Sequence, residues 1–175
     1  MKQAVRICSS GLGAPAVYDD PNRAVVLGWS GTLVRYHGGR ARLVPGADAA
    51  LCGARLASIP VIVLTEQPLR EVATQARRLR VADRLSIVIP DGRDRVAELT
   101  GLRVEYPRLA FVGSTEEEIL DARRADVLAF GFSGGGCAGR LLRAAGAESV
   151  MSRLDRSLAL RVTEQRLFTA SGDAG

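Results

Sequence analysis

The chain has 175 residues, of which 47% are hydrophobic and 25% charged, and its formal net charge is +5. This composition is typical of one soluble globular domain, and no apolar run approaches the roughly 20 residues that a membrane span needs. The positive charge is almost entirely arginine spread along the chain, as in proteins of GC-rich bacterial genomes, and only 5% of residues are aromatic. We therefore expect no nucleic-acid partner.

The three cysteines, Cys8, Cys52 and Cys137, are odd in number and far apart. They show neither a disulfide framework nor the spacing of a metal site. Lys2 and Arg6 are not followed by an apolar h-region, so we expect no signal peptide. Together these features predict a cytoplasmic protein.

Short apolar runs alternate with longer amphipathic segments along the chain. The predicted strands are Ala24–Trp29, Val61–Leu64, Leu85–Ile89, Leu109–Val112, Val127–Phe130 and a weak sixth, Ser149–Met151. The predicted helices are Ala47–Ala57, Leu69–Arg80, Arg93–Gly101, Glu116–Arg124, Ala138–Ala145 and Leu154–Val162. Strands that are apolar throughout, with helices between them, indicate a mostly parallel sheet covered on both faces. We therefore predict an α/β fold, a Rossmann-like three-layer α/β/α sandwich, as one domain over residues 1–167 with a disordered tail at 168–175.

Residues 33–44 break this alternation. Gly38 and Gly39 lie between two short runs of strand-like sequence, and such a pair favours a tight hairpin turn. We predict a small β-hairpin flap after the first strand, over the mouth of the sheet.

Ligands of parallel α/β sheets bind beyond the carboxyl ends of the strands. This rule selects the segments that follow each predicted strand: Gly28 to Thr32, Thr65 to Gln67, Asp91 to Arg95, Gly113 to Glu118 and Gly131 to Cys137.

The first of these segments carries a motif. The strand Ala24 to Leu27 runs into Gly28-Trp29-Ser30, and a turn-like Gly31-Thr32-Leu33-Val34 follows. This pattern resembles the signature of the haloacid dehalogenase (HAD) superfamily, a hydrophobic strand followed by Asp-x-Asp-Gly-Thr-Leu. The resemblance implies a phosphatase in which the first Asp attacks phosphorus and binds magnesium, while the second Asp is general acid and base. Here those positions are Gly28 and Ser30, which supply neither a nucleophilic carboxylate nor a strong proton carrier.

Three further segments resemble the family in the same order, so that the likeness extends from about Ala24 to Leu158. In the segment Pro45 to Gln67, Thr65 falls where the family has its phosphate-binding Thr or Ser. The segment Leu109 to Glu118 resembles the fourth motif, Gly-Asp-x-x-x-Asp after a strand, and Ala145 to Val150 resembles the closing Gly-Ala-Asp segment.

The departures from the family pattern concern its charged groups. Ser114 replaces the first Asp of the fourth motif, and Glu118 keeps a carboxylate at the second. No lysine follows Lys2, so Arg93 or Arg95 would have to replace the phosphate-binding Lys of the third motif. Since Mg²⁺ prefers several oxygen ligands that include carboxylates, we predict no metal cofactor, with Glu118 as a weak candidate ligand.

The spacing of the motifs leaves room only for the hairpin, so the chain resembles the capless branch of the family. That resemblance implies self-association or a large substrate. We expect a homo-oligomer formed through the hairpin 33–44.

Two other patterns suggest nucleophiles. Gly131-Phe132-Ser133-Gly134-Gly135 matches the Gly-x-Ser-x-Gly elbow of serine hydrolases, but the only histidine, His37, lies far upstream. A turn into a helix explains the same glycines, and Cys137 is equally explained as a helix-start cysteine.

These observations leave three hypotheses. The first is a catalytically degenerate HAD-like protein that binds a small anionic ligand or a protein partner, using Ser30, Thr32, Thr65, Arg93, Arg95 and Ser114. The second is a repurposed enzyme in which Ser30, Glu66, Asp91 or Glu118 performs other chemistry. The third is residual phosphohydrolase activity.

Overall fold

The computed structural model describes residues 22–90, 94–135 and 138–165. Its strands are β1 (Arg23–Gly28), β2 (Val34–His37), β3 (Arg40–Leu43), β4 (Val61–Leu64), β5 (Ile87–Ile89), β6 (Arg108–Gly113), β7 (Leu128–Phe132) and β8 (Val150–Met151). Its helices are α1 (Ala47–Leu56), α2 (Leu69–Arg78), α3 (Arg95–Glu105), α4 (Glu116–Arg124), α5 (Gly139–Ala144) and α6 (Leu158–Glu164), with a 3₁₀ turn at Ala82–Arg84.

Six strands form one parallel sheet in the order β5-β4-β1-β6-β7-β8. From β1 at the centre of the sheet, the chain moves outward to β4 and β5 and then returns to place β6 on the other side of β1. The strand order therefore reverses between β1 and β6, and the crevice at this switch point is where sheets of this kind bind ligands.

Side chains of the central strands alternate between two apolar layers. Val25 and Leu27 pack with α1, α2 and α6 on one face, whereas Ala24 and Val26 pack with α3, α4 and α5 on the other. Burial of both faces explains why these strands are apolar throughout. The predicted three-layer α/β/α sandwich is confirmed.

Several predicted boundaries differ from those observed, by up to four residues. The helix predicted from Leu154 begins at Leu158, because Asp155 accepts hydrogen bonds from the backbone N–H and hydroxyl of Ser157 and forms a turn instead. The strand predicted from Leu85 begins at Ile87, and α3 continues past Gly101 to Glu105.

The predicted hairpin is present as β2 and β3, which pair as an antiparallel ribbon separate from the main sheet. Gly38 and Gly39 form its two-residue turn with φ values of 55° and 73°. Positive φ at both central positions is the geometry of a type I′ turn, which explains why two glycines are found there.

None of the described helices combines the length and apolar character that a membrane crossing requires. The tail predicted at 168–175 lies outside the described residues.

Candidate functional site

A cleft of about 390 Å³ opens at the carboxyl edge of the sheet. It lies where the loops after β1, β4 and β6 meet the first turns of α3 and α4, next to the switch point. Its wall is formed by Trp29, Ser30, Leu64, Thr65, Glu66, Gln67, Arg95, Thr115, Glu117 and Glu118. Of the predicted site residues that the structure describes, it therefore brings together Ser30, Thr65, Glu66, Arg95 and Glu118.

The carboxylate of Glu118 occupies the space beside Gly28. A Cβ atom on Gly28 would lie 2.8 Å from Oε1 of Glu118 and 3.1 Å from Oγ1 of Thr32. The other carboxylate oxygen, Oε2, accepts the backbone N–H groups of Ser114 at 2.7 Å and Thr115 at 3.0 Å. The Thr115 hydroxyl in return accepts the backbone N–H of Glu118 at 3.2 Å, which completes a capping box at the start of α4.

Thr32 lies beneath the cleft rather than in its wall. Its side chain is fully buried, and its hydroxyl has no hydrogen-bond partner among the described residues. The hydroxyl faces the same space beside Gly28 that Glu118 borders. Thr32 is thus close to the predicted site but does not line the cleft.

Gly31 keeps the turn after β1 in its compact form. Its φ is +84°, and a Cβ atom would collide with the Ser114 hydroxyl oxygen. That hydroxyl donates to the backbone oxygen of Ser30 at 3.4 Å. Ser114 therefore joins the loops after β1 and β6, although it does not line the cleft.

The Ser30 hydroxyl accepts a hydrogen bond from Nε2 of Gln67 at 3.4 Å. In the described part of the chain no carboxylate is hydrogen-bonded to this serine, so neither Glu66 nor Glu118 forms an acid–base pair with it. Thr65 is 7% exposed and its hydroxyl accepts the backbone N–H of Gln67 at 3.1 Å.

Arg95 begins α3 and points its guanidinium at two carboxylates. Its Nη1 lies 2.6 Å from Asp121, and its Nη2 lies 3.1 Å from Glu66. The arginine side chain is 10% exposed and that of Asp121 is 12% exposed. Arg95 is in the wall of the cleft as predicted, but its hydrogen-bonding groups already serve the protein.

Sequence reasoning missed the glutamines of this region. Gln75 on α2 accepts hydrogen bonds from the indole of Trp29 and the hydroxyl of Tyr36, both at 2.9 Å. Gln67 donates to the Tyr36 hydroxyl at 2.6 Å. These contacts fix the hairpin against the wall of the cleft. Trp29 is only 1% exposed, so its indole is packed there and offers no open face for stacking on a ligand. Gln67 lies in a segment that the sequence analysis selected, but neither glutamine was given a role, and only their positions on α2 and after β4 could have suggested the contact.

The described residues do not fit a magnesium site. No group of three or more His, Cys, Asp or Glu side chains among them is arranged to hold a metal ion. Gly28, Ser30 and Ser114 offer no carboxylate, and one oxygen of Glu118 accepts the backbone N–H groups of Ser114 and Thr115, just before α4. Mg²⁺ demands near-octahedral oxygen coordination, which this donor set does not supply.

Among the described residues, the other candidate nucleophile, Ser133, is not paired with His37. The Ser133 hydroxyl donates to the backbone oxygen of Met151 at 3.4 Å, and His37 is an exposed residue of the hairpin. Asp91, Arg93, Cys8 and Cys137 lie outside the described residues.

No family model matches the chain, and no curated protein matches it. Solved structures do match. One is β-phosphoglucomutase from Thermotoga maritima, with a TM-score of 0.57 and 18% identity. The match covers 72% of this chain but only 61% of that protein. A second, a HAD family hydrolase from Streptomyces avermitilis, has a TM-score of 0.56 and 20% identity, with 88% of each chain covered.

A third match is 3-deoxy-D-manno-octulosonate 8-phosphate phosphatase from Moraxella catarrhalis, solved with magnesium, phosphate and its sugar acid. Its TM-score is 0.56 at 18% identity, over 85% of this chain and 92% of that one. The parallel sheet, its central first strand and its switch-point cleft define a Rossmann-like α/β protein. Within that class, this chain has the HAD-like fold.

Proposed function

We propose that this HAD-fold protein is a binding protein that does not form an aspartyl-phosphate, and that its cleft takes a small anionic ligand or a segment of a protein partner. The observation that carries this proposal is the position of Glu118. Its carboxylate fills the space beside Gly28, where a nucleophilic side chain at the end of β1 would begin.

The same contact supports an anionic ligand. The free N–H groups at the start of a helix form a natural anion site, and here the N–H groups of Ser114 and Thr115 already hold an anion, the Glu118 carboxylate. An incoming phosphate or carboxylate of similar size would use these donors by displacing Glu118.

An incoming anion must compete with the carboxylates of the cleft for its positively charged and N–H groups. The described wall contains Glu66, Glu117 and Glu118 against one cation, Arg95. Since Arg95 is paired with Glu66 and Asp121, it offers an incoming anion little free positive charge. We therefore expect a modest affinity for phosphate in the unaltered protein.

The test is a thermal-shift titration of the wild type and Glu118→Ala with phosphate, with magnesium, and with both. A ligand that binds only the folded state raises the melting temperature by mass action. We expect phosphate alone to stabilise both proteins, and Glu118→Ala to show at least a twofold larger shift. Glu116→Ala is the matched control, because Glu116 lies in the same first turn of α4 but does not line the cleft.

Two outcomes contradict the proposal. One is stabilisation that requires magnesium together with phosphate, and the other is magnesium-dependent hydrolysis of an aryl phosphate by the wild type. Either result would favour the residual phosphohydrolase.

A further inference from the structure

The hairpin presents a face made only of basic and histidine side chains. In the β2–β3 register, Arg35 lies opposite Arg42 and His37 lies opposite Arg40. Directly opposed residues, and residues two apart on a strand, share one face of a ribbon. We call the face formed by Arg35, His37, Arg40 and Arg42 the basic face; all four residues are exposed.

The opposite face of the ribbon is the one that packs on the domain. It carries Ala41 and Leu43, which are partly buried against the apolar core, and Tyr36, which is hydrogen-bonded to Gln67 and Gln75. The alternation of exposed and partly buried residues along β3 follows directly from this arrangement. The basic face therefore points away from the surface that anchors the hairpin.

The basic face is not neutralised by the rest of the described chain. None of its three arginines forms an ion pair with a described residue, whereas Arg55, Arg84 and Arg103 elsewhere each do. Like charges placed directly opposite each other destabilise a ribbon. Arg35 and Arg42 are such a pair, and a bound anion would remove their repulsion.

One arginine of the face is held in place. The guanidinium of Arg35 lies directly against Gly134 in the loop after β7, so closely that a Cβ atom there would collide with it. This contact fixes one edge of the basic face, while Arg40 and Arg42 on β3 stay exposed.

We propose that the basic face is a second binding site, separate from the cleft, for a compact anion with several adjacent phosphate groups. Guanidinium groups bind phosphate oxygens bidentately. Arginines two residues apart on one strand are about 6.6 Å apart along it, and opposed residues are about 5 Å apart, so the face matches a short polyphosphate. The face carries no Phe, Tyr or Trp, since Tyr36 lies on the other side, and it thus lacks the large stacking platform that favours single-stranded nucleic acids.

The probe is inorganic tripolyphosphate, titrated against the whole chain by calorimetry at low and at physiological salt. We expect the basic face to bind tripolyphosphate more tightly than the cleft does, and we expect Arg40→Gln/Arg42→Gln to weaken this tighter binding at least about tenfold. The control is Arg77→Gln/Arg78→Gln, which removes the same charge from the exposed surface of α2 and should change the affinity less than about twofold. Unaltered tripolyphosphate affinity in Arg40→Gln/Arg42→Gln would overturn the proposal.

The same assay separates this site from the cleft and from a nucleic-acid surface. Replacing Arg40 and Arg42 by Gln should weaken tripolyphosphate binding to the same extent in the wild-type and the Glu118→Ala backgrounds. The larger phosphate-dependent thermal shift of Glu118→Ala should persist when Arg40 and Arg42 are also replaced. A single-stranded oligonucleotide that binds while tripolyphosphate does not would also overturn the proposal. If phosphate fails to stabilise the wild type and Glu118→Ala, the cleft proposal is wrong, but tripolyphosphate binding that depends on Arg40 and Arg42 would still support the basic face.

Discussion

Asp121 on α4 is held between two arginines. Its carboxylate oxygens lie 2.6 Å from Arg95 and 3.1 Å from Arg124. Because the Asp121 and Arg95 side chains are almost entirely buried, each depends on the other to offset the cost of leaving water. This pair links α3 to α4 beneath the cleft.

We expect Asp121→Asn to lower the free energy of unfolding by about 3 kcal/mol, since it leaves the buried Arg95 with a weaker partner. Chemical denaturation measures the loss. Asp83→Asn is the control, because Asp83 pairs with Arg55 at 3.0 Å but both side chains are more than half exposed, and it should cost less than about 1 kcal/mol. Equal losses in the two variants would show that the buried pair has no special role.

Individual residues show most clearly which features of the site can be predicted from the sequence and which depend on the fold. That Gly28, Ser30 and Ser114 carry no carboxylate is evident from the sequence alone. The place of the Glu118 carboxylate could not, because it depends on which backbone donors of α4 come next to Gly28 in the fold. Arg95 lines the cleft, but its pairing with Asp121 joins residues 26 positions apart and has no sequence signature.

Two glycines in helices show how packing decides the role of the same residue. Gly53 in α1 is buried, and a Cβ atom on it would collide with the backbone oxygen of Arg156, in the loop before α6. Gly101 in α3 is exposed, and a Cβ atom on it would meet nothing within 4 Å. The first glycine permits a close approach of two chain segments, and the second has no such function.

We therefore expect Gly53→Ala to lower the free energy of unfolding by about 2 kcal/mol, because the crowded backbone must move. Gly101→Ala should instead raise it by about 0.5–1 kcal/mol, since alanine is the better helix former. Thermal and chemical unfolding of the two variants measures both changes. A destabilised Gly101→Ala variant would contradict the packing described for α3.

Elements were predicted best where their residues have a strict pattern. The apolar strands β1, β4, β6 and β7 are buried on both faces, and their sequence shows it. The hairpin followed from Gly38-Gly39, whose turn chemistry is local. The start of α6 was wrong because Asp155 and Ser157 form a turn that competes with the helix. The basic face was missed because it depends on pairing between strands, and spacing along the chain suggested only scattered arginines.

At the scale of the whole molecule, the carboxylate of Asp155 makes the free energy of unfolding depend on pH. Burial opposes the charge of Asp155, but hydrogen bonds from Ser157 and Arg161 outweigh this effect and lower the pKa of the carboxyl below its ordinary value. A carboxyl whose pKa falls on folding stabilises the native state above its unfolded pKa of about 3.9 and loses this effect as the pH falls through the folded pKa.

We expect Asp155→Asn to be less stable than the wild type at pH 7, and the difference to shrink as the pH falls from about 5 to below the folded pKa. The effect should be a few tenths of a kcal/mol, because the Asp155 side chain is 48% exposed and Arg161 is 47% exposed. Urea unfolding at several pH values measures it. A constant difference between the two proteins over this range would show that the charge of Asp155 does not contribute.

The assembly and surroundings of the molecule stay predictions. Self-association through the hairpin 33–44, a cytoplasmic location and the lack of a nucleic-acid partner or metal cofactor each follow from sequence features or from the family resemblance. The basic face limits how the hairpin could self-associate. A symmetric dimer that joined two such faces would bring the arginines of both copies together, and their like charges would repel each other. A dimer formed through the hairpin would therefore have to use a surface of the hairpin other than the basic face.

Trp29 is the only tryptophan of the chain, and it lies between β1 and the hairpin, in the wall of the cleft. Its indole is buried and donates to Gln75, the residue that also holds Tyr36. The protein therefore contains its own optical probe at the junction of sheet, hairpin and cleft. Intrinsic fluorescence follows that junction without any label, and a shift of the emission to longer wavelength signals that water has reached the indole.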